Sequence, residues 1–140
     1  MANIKMDKKK INAPEDYFDN YYDWPSDWMG VEEDIIIGNS LLTIFTPFVE
    51  TLIEEKHSVK TIKKHLGNLA LLGGEIIGRL NDEDEKNRKL TPRKLLLEYI
   101  DDECGPLVDH WDPNNKTEEA LQKAFDGTCR KLHKFILTSK

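Results

Sequence analysis

The stretch Ser58–Leu80, "SVKTIKKHLGNLALLGGEIIGRL", decides how the rest of the chain is read. Val59, Ile62, Leu66, Leu69, Gly73, Ile76 and Leu80 recur at alternating intervals of three and four, the seam of a helix packed lengthwise on its neighbours. Ser58 stands where an N-cap is needed. The same segment carries four glycines, and each costs about 1 kcal/mol relative to alanine in a helix interior. A compensating close contact is therefore expected. On a helical wheel the seam centres near Leu66 and Gly73, whereas Gly67, Gly74 and Gly78 gather on a separate flank beside Lys60 and Lys63. Two kinds of occupant suit that flank: another element of the same chain crossing closely over it, or a partner, either a helix or a phosphate backbone met by lysines.

Working outward from this helix, the pattern predicts three more. A preceding helix opens near Asn39 or Ser40 and carries Leu41, Leu42, Phe45, Phe48, Val49, Leu52 and Ile53 on one broad stripe, with Pro47 predicting a kink or a late start. After the seam helix, Asn81–Lys89, "NDEDEKNRK", reads as a solvated loop. Thr91 and Pro92 form a cap and first-turn pair for a third helix that buries Leu95, Leu96, Tyr99 and Ile100 and stops at Gly105 and Pro106. Thr117 caps the last helix, with Glu118 and Glu119 complementing its positive end and Leu121, Ala124, Phe125, Thr128, Leu132, Phe135 and Ile136 as its core stripe. Between these two, "DHWDPNN" reads as a turn that inserts Trp111 into the core; Asp109 and Asp112 lack the ligand alternation and glycine of a calcium loop. "DIIIG" is the one strand candidate, and a single strand has nothing to pair with. The expected fold is all-α, a compact bundle of four to five helices over residues 35–140.

Residues 1–34 read as a partly disordered, irregular, acidic and aromatic N-terminal arm. Its basic start, "MANIKMDKKK", is expected to be poorly ordered. The segment after it places Tyr17, Phe18, Tyr21, Tyr22, Trp24 and Trp28 among carboxylates, whereas disordered tails are poor in aromatics. Such rings either pack on the helical body or anchor a protein partner that the acids steer.

The chain has 140 residues, one domain's worth, and a net charge of −6 that is unevenly spread. Residues 1–57 carry five lysines and twelve acids, giving −7, and the remainder carries fifteen basic and fourteen acidic residues, giving +1. Nucleic-acid binding would therefore need a local basic stripe rather than an overall excess. The continuous apolar runs, such as Ile35–Ile37 and Leu95–Leu97, are short and no signal-peptide pattern is present, so the expectation is a cytoplasmic protein without membrane association. Two cysteines, Cys104 and Cys129, are too few for a disulfide framework.

The segment 58–80, together with "GPL" near residue 106 and "FDGTCRKLHKFIL" at the end, resembles a group of small bacterial all-helical proteins of unassigned function, over most of residues 40–138. More distantly, "SVKTIKKHLGNL" following Phe48–Leu52 resembles the SAM-like core-binding domain of tyrosine recombinases. That likeness implies a bundle that grips DNA through basic helical faces: here Lys60, Lys63 and Lys64, with Lys123, Arg130 and Lys134 on one stripe of the last helix. The catalytic domain of that family, with its arginine, histidine and tyrosine set, has no counterpart in the chain, so strand cleavage is not implied. The acidic arm would compete with DNA for such a surface, and removal of residues 1–34 would then strengthen binding.

No nucleophile elbow, phosphate loop or paired metal-ligand motif is present. Cys129 and His133, spaced i and i+4, with Cys104 and His110 further back, are weak candidates for a zinc site or a thiolate–imidazole pair, set against the ordinary reading of Cys129 as a core residue. His57, His65 and His110 are expected to be surface or partly buried side chains with a hydrogen-bond partner. The function expected is a non-enzymatic interaction domain, without cofactor or small-molecule substrate. Its partner is expected to be protein or a second copy, met through the arm aromatics and Gly67, Gly74 and Gly78. DNA binding through the lysine stripes is the alternative.

Overall fold

The three predicted caps form. Ser58 Oγ accepts the Thr61 N–H at 3.1 Å, Thr91 Oγ1 that of Lys94 at 3.3 Å, and Thr117 Oγ1 that of Ala120 at 3.1 Å, each closing one of the open amides of a helix start. The computed structural model describes residues 13–109 and 117–139. Within them lie five α-helices and no strand: α1 Trp24–Trp28, α2 Asp34–Glu54, α3 Val59–Asp82, α4 Pro92–Tyr99 and α5 Glu118–Thr138. The fold is all-α, as its periodicity predicts. The basic start at residues 1–10 and the expected placement of His110, Trp111 and Asp112 fall outside the described residues.

Helices α2 and α3 form the centre, and α1, α4 and α5 pack around them. The seam residues Ile62, Leu66, Leu69, Gly73, Ile76 and Leu80 of α3 are buried, while Val59, at the helix start, is exposed. From α2 come Leu41, Phe45, Phe48, Val49 and Leu52, from α4 Leu95 and Leu96, and from α5 Phe125, Leu132 and Ile136. Helix α2 is long and apolar enough to cross a membrane by length and composition; in this fold its apolar stripe faces the core.

Four boundaries differ from the sequence expectation. Helix α2 begins at Asp34, not at Asn39 or Ser40, and the Ser40 hydroxyl donates back to Ile36 O at 3.0 Å instead of capping. Pro47 neither delays nor ends the helix: Pro47 and Thr43, whose carbonyl loses its helical donor, both lie on the exposed side, where that carbonyl is open to solvent. Helix α4 stops at Tyr99, before Gly105 and Pro106, because Ile100 turns extended and the Asp101 carboxylate takes the N–H groups of Glu103 and Cys104 at 2.8 and 2.9 Å. The stretch Asn81–Lys89 is not a plain solvated loop: α3 runs through Asp82, and a 3-10 turn over Glu85–Lys89 carries Arg88 inward.

The segment read as an arm shares the core of the bundle. Tyr21 is fully buried and Trp24 is 2% exposed. Tyr21, Trp24, Trp28 and Phe45 form a chain of ring contacts with centroids 4.7 to 6.4 Å apart, in the tilted and edge-on geometries that aromatic quadrupoles favour. The Tyr21 hydroxyl shares a 2.8 Å hydrogen bond with Thr46, and burial raises its pKa. Phe18 and Tyr17 pack half-buried on the same cluster, leaving Tyr22 as the exposed ring of the six. Of the candidate partner anchors, Tyr21 and Trp24 are thus taken up by the core of their own chain, and Tyr17, Phe18 and Trp28 are partly buried against it.

Glycine seats this segment at two points. A Cβ on Gly38 would stand 2.7 Å from Pro25, so α1 crosses α2 over that gap. On α3, a Cβ on Gly73 would overlap the Trp28 ring, and one on Gly74 would touch it at 3.4 Å. The notch lets the indole Nε1 reach past the helix side chains and donate to Ala70 O at 2.9 Å. Gly67 and Gly78 do not share this contact: nothing lies within 4 Å of a Cβ built on either, so the expectation of one crossed flank at 67, 74 and 78 is corrected to a notch at 73 and 74. A pair of substitutions checks the assignment by urea denaturation. Gly73→Ala should destabilise by about 1–3 kcal/mol, because a rigid ring must move. Gly78→Ala should stabilise by about 0.5–1 kcal/mol, the helix-propensity gain with no clash.

Candidate functional site

Two polar centres are built into this core, one at each end of α3. At the C-terminal end, the Asp34 carboxylate is fully buried. Its Oδ2 accepts the N–H groups of Gly30 at 2.8 Å and Val31 at 2.9 Å and the Asn81 amide at 2.7 Å. Its Oδ1 lies 2.9 Å from Arg88 Nη1, an ion pair in which neither atom makes an aligned hydrogen bond. Arg88 also donates to Asn81 Oδ1. Burial alone would raise the Asp34 pKa, but the bonds from Val31, Asn81, Gly30 and Arg88 outweigh it and hold the carboxyl below its ordinary range. With Oδ2 bonded to the turn and to Asn81 and Oδ1 paired with Arg88, this buried centre joins the α1–α2 turn to the end of α3.

The second centre lies between α3 and α5. His65 is 6% exposed, and its Nδ1 is 2.7 Å from Thr128 Oγ1. Asn68 Nδ2 reaches the same oxygen at 2.8 Å and Ala124 O at 3.4 Å. Above this cluster an open groove of about 640 Å³ is lined by Lys64, His65, Lys123, Arg130 and Lys131, with Ala120, Ala124 and Gly127 as its small residues. Its lining holds four cations and no carboxylate, on a chain whose net charge is −6. Burial first, and then the charges of Lys64, Lys131 and His57, push the His65 pKa down to about 4. The imidazole is therefore neutral at physiological pH and sits in a positive field.

The sequence-predicted cations divide. Lys64, Lys123 and Arg130 meet in the groove, and Lys131, which the helical-stripe reading passes over, joins them. Lys60 and Lys63 are exposed on α3 outside that lining, and Lys134 lines a neighbouring depression shared with Lys131, Glu55 and Phe135. His65 is the larger omission. At 100° per residue it falls between the seam and the lysines, and only the Thr128 hydroxyl across the interface reveals its role. His57 makes the surface contact expected of it, 3.2 Å from Glu55.

Of the candidate pair Cys129 and His133, the cysteine is taken up by the core. Cys129 is 1% exposed and packs against Gly105, where a Cβ would overlap its sulfur; burial pushes its thiol up to about 12. Cys104 is exposed, and its thiol is raised as well, by partial desolvation and then by Asp101, Asp126 and Glu103. Neither is a ready thiolate at neutral pH. Among the described residues no group of three or more His, Cys, Asp or Glu is placed to hold a metal ion. Comparison of the chain with protein-family models, with curated proteins and with solved structures gives no match.

Proposed function

We propose that the protein is a non-enzymatic helical interaction domain that holds the phosphate backbone of DNA in the groove between α3 and α5. One observation carries this reading: the lining of the groove gathers Lys64, Lys123, Arg130 and Lys131 and no acid, with the carboxylates Glu118, Glu119 and Asp126 lining a separate depression that Lys123 and Arg130 also border. Like charges so placed repel one another, and a polyanion relieves that repulsion while releasing its own counterions. A protein partner is less well served there, because Ala120, Ala124 and Gly127 offer no apolar anchor pocket. The resemblance to recombinase core-binding domains, which grip DNA through basic helical faces, points the same way. Contact with phosphates positions a protein on DNA without reading sequence, so the affinity is expected to be general.

The test is fluorescence anisotropy with a labelled duplex. Four neutralised phosphates imply a log–log salt slope near −3.6, or roughly a hundredfold loss of affinity between 50 and 200 mM salt. The double variant Lys123→Glu/Lys131→Glu should abolish retention at low salt. Unchanged affinity in that variant, or a slope near zero, would overturn the reading. Removing residues 1–34 is not a usable test of competition by the arm, since it also deletes Tyr21 and Trp24 from the core.

A second reading rests on a separate observation. Gly67 and Gly78 are open, and Leu71 between them is 41% exposed, so α3 keeps an outer face on which a helix of a second copy can lie. Concentration-dependent mass in sedimentation that Leu71→Glu removes would favour it.

A further inference from the structure

The hydrogen bonds beneath the groove have a direction. Ala124 O can only accept, so the Asn68 atom facing it is the NH2, and that same nitrogen donates to Thr128 Oγ1. The Thr128 hydroxyl then has its own proton to place. Among the described residues its one remaining partner is His65 Nδ1, because it makes no bond to the carbonyl one turn back. Thr128 therefore donates, Nδ1 accepts, and the single ring proton of neutral His65 sits on Nε2. Nδ1 is used up in the interior, which leaves Nε2–H as the ring group available to the groove that His65 lines. The small residues Ala124 and Gly127 leave room above it.

We propose that the groove floor is a phosphate seat in which neutral His65 donates its Nε2–H to a non-bridging oxygen of a bound phosphodiester, with Thr128 and Asn68 as the positioning residues that fix this tautomer. The proposal rests on the groove being a polyanion site and adds the atom that meets the phosphate. A neutral donor suits the place: Lys64 and Lys131 flank it and His57 adds to their field, so a fifth charge is disfavoured until an anion arrives. The seat consequently works without a proton being taken up; protonation would leave the Nε2–H donor in place and turn Nδ1 from acceptor to donor against Thr128.

The experiment uses the full chain labelled with 15N. Long-range proton–nitrogen correlation should show His65 as the Nε2–H tautomer. Inorganic phosphate, added as the probe, should shift its ring signals and raise its pKa from about 4. Thr128→Val should mix the tautomers and weaken duplex binding about fivefold, and Thr128→Ser should restore both. His65→Phe should weaken binding about tenfold without altering the salt slope, which belongs to the lysines. If His65→Phe fails to fold, the phosphate titration of the unaltered protein decides alone. Ring signals that ignore phosphate, while Lys131-dependent duplex binding persists, would sink the seat and leave the groove reading intact. Phosphate binding without duplex binding would keep the seat and sink the DNA reading, and absence of both would sink the two together.

Discussion

Asp34→Ala is expected to cost about 3–5 kcal/mol, the range for breaking a buried ion pair by removing one partner. The loss is large because three hydrogen-bond donors and one guanidinium converge on this one carboxylate. Without it Arg88 keeps a charge at 20% exposure with no acid beside it, and the N–H groups of Gly30 and Val31 lose their acceptor. Asp34→Asn should cost less, since an amide oxygen still accepts from the turn. The pH dependence follows from the depressed pKa. The unfolded chain binds a proton on this group more readily than the folded one, so stability rises with pH through the window between the two values. The contribution is complete above the ordinary carboxyl value of 3.8 and is lost as pH falls through the lower folded value. Urea melts from pH 5 down to pH 2 should therefore show an acid-sensitive component that Asp34→Asn removes. Identical pH profiles for the two proteins would contradict the assignment.

Trp24→Ala should cost about as much, roughly 3–5 kcal/mol, as expected for emptying the site of a fully packed indole. Trp24 touches Phe18, Tyr21 and Trp28, so the cavity would open at the centre of the aromatic chain. Tyr22, two residues before it in sequence, is the control: it is 52% exposed and keeps an edge-on contact with Tyr21, so its replacement by alanine should change stability by no more than about 1 kcal/mol. An arm merely resting on a finished bundle would predict small effects for both. Chemical denaturation of the two variants separates these pictures directly.

The helices were readable where the cause of a boundary is local. Ser58, Thr91 and Thr117 each cap the turn that follows them, and the seam of α3 is a matter of spacing within one helix. The start of α2 was not readable, because Asp34 is held by Asn81 and Arg88 from the far end of α3, and no window along the chain contains both. Glycine spacing showed that α3 would be approached closely, yet which glycine is used depends on where Trp28 lands. The basic surface was half legible for the same reason. A wheel for α5 groups Lys123, Arg130 and Lys134, but the facing wall of α3 selects Lys123, Arg130 and Lys131 and brings in His65.

The notch that receives Trp28 also sets an order on the making of the protein. The indole must wait for a carbonyl 42 residues further along, so the aromatics of this segment have no place to bury until α3 has emerged. Through that interval the nascent chain displays several tryptophan and tyrosine rings to its surroundings, and the carboxylates interspersed among them, Asp16, Asp19, Asp23 and Asp27, keep such a segment hydrated and apart from its neighbours while it waits.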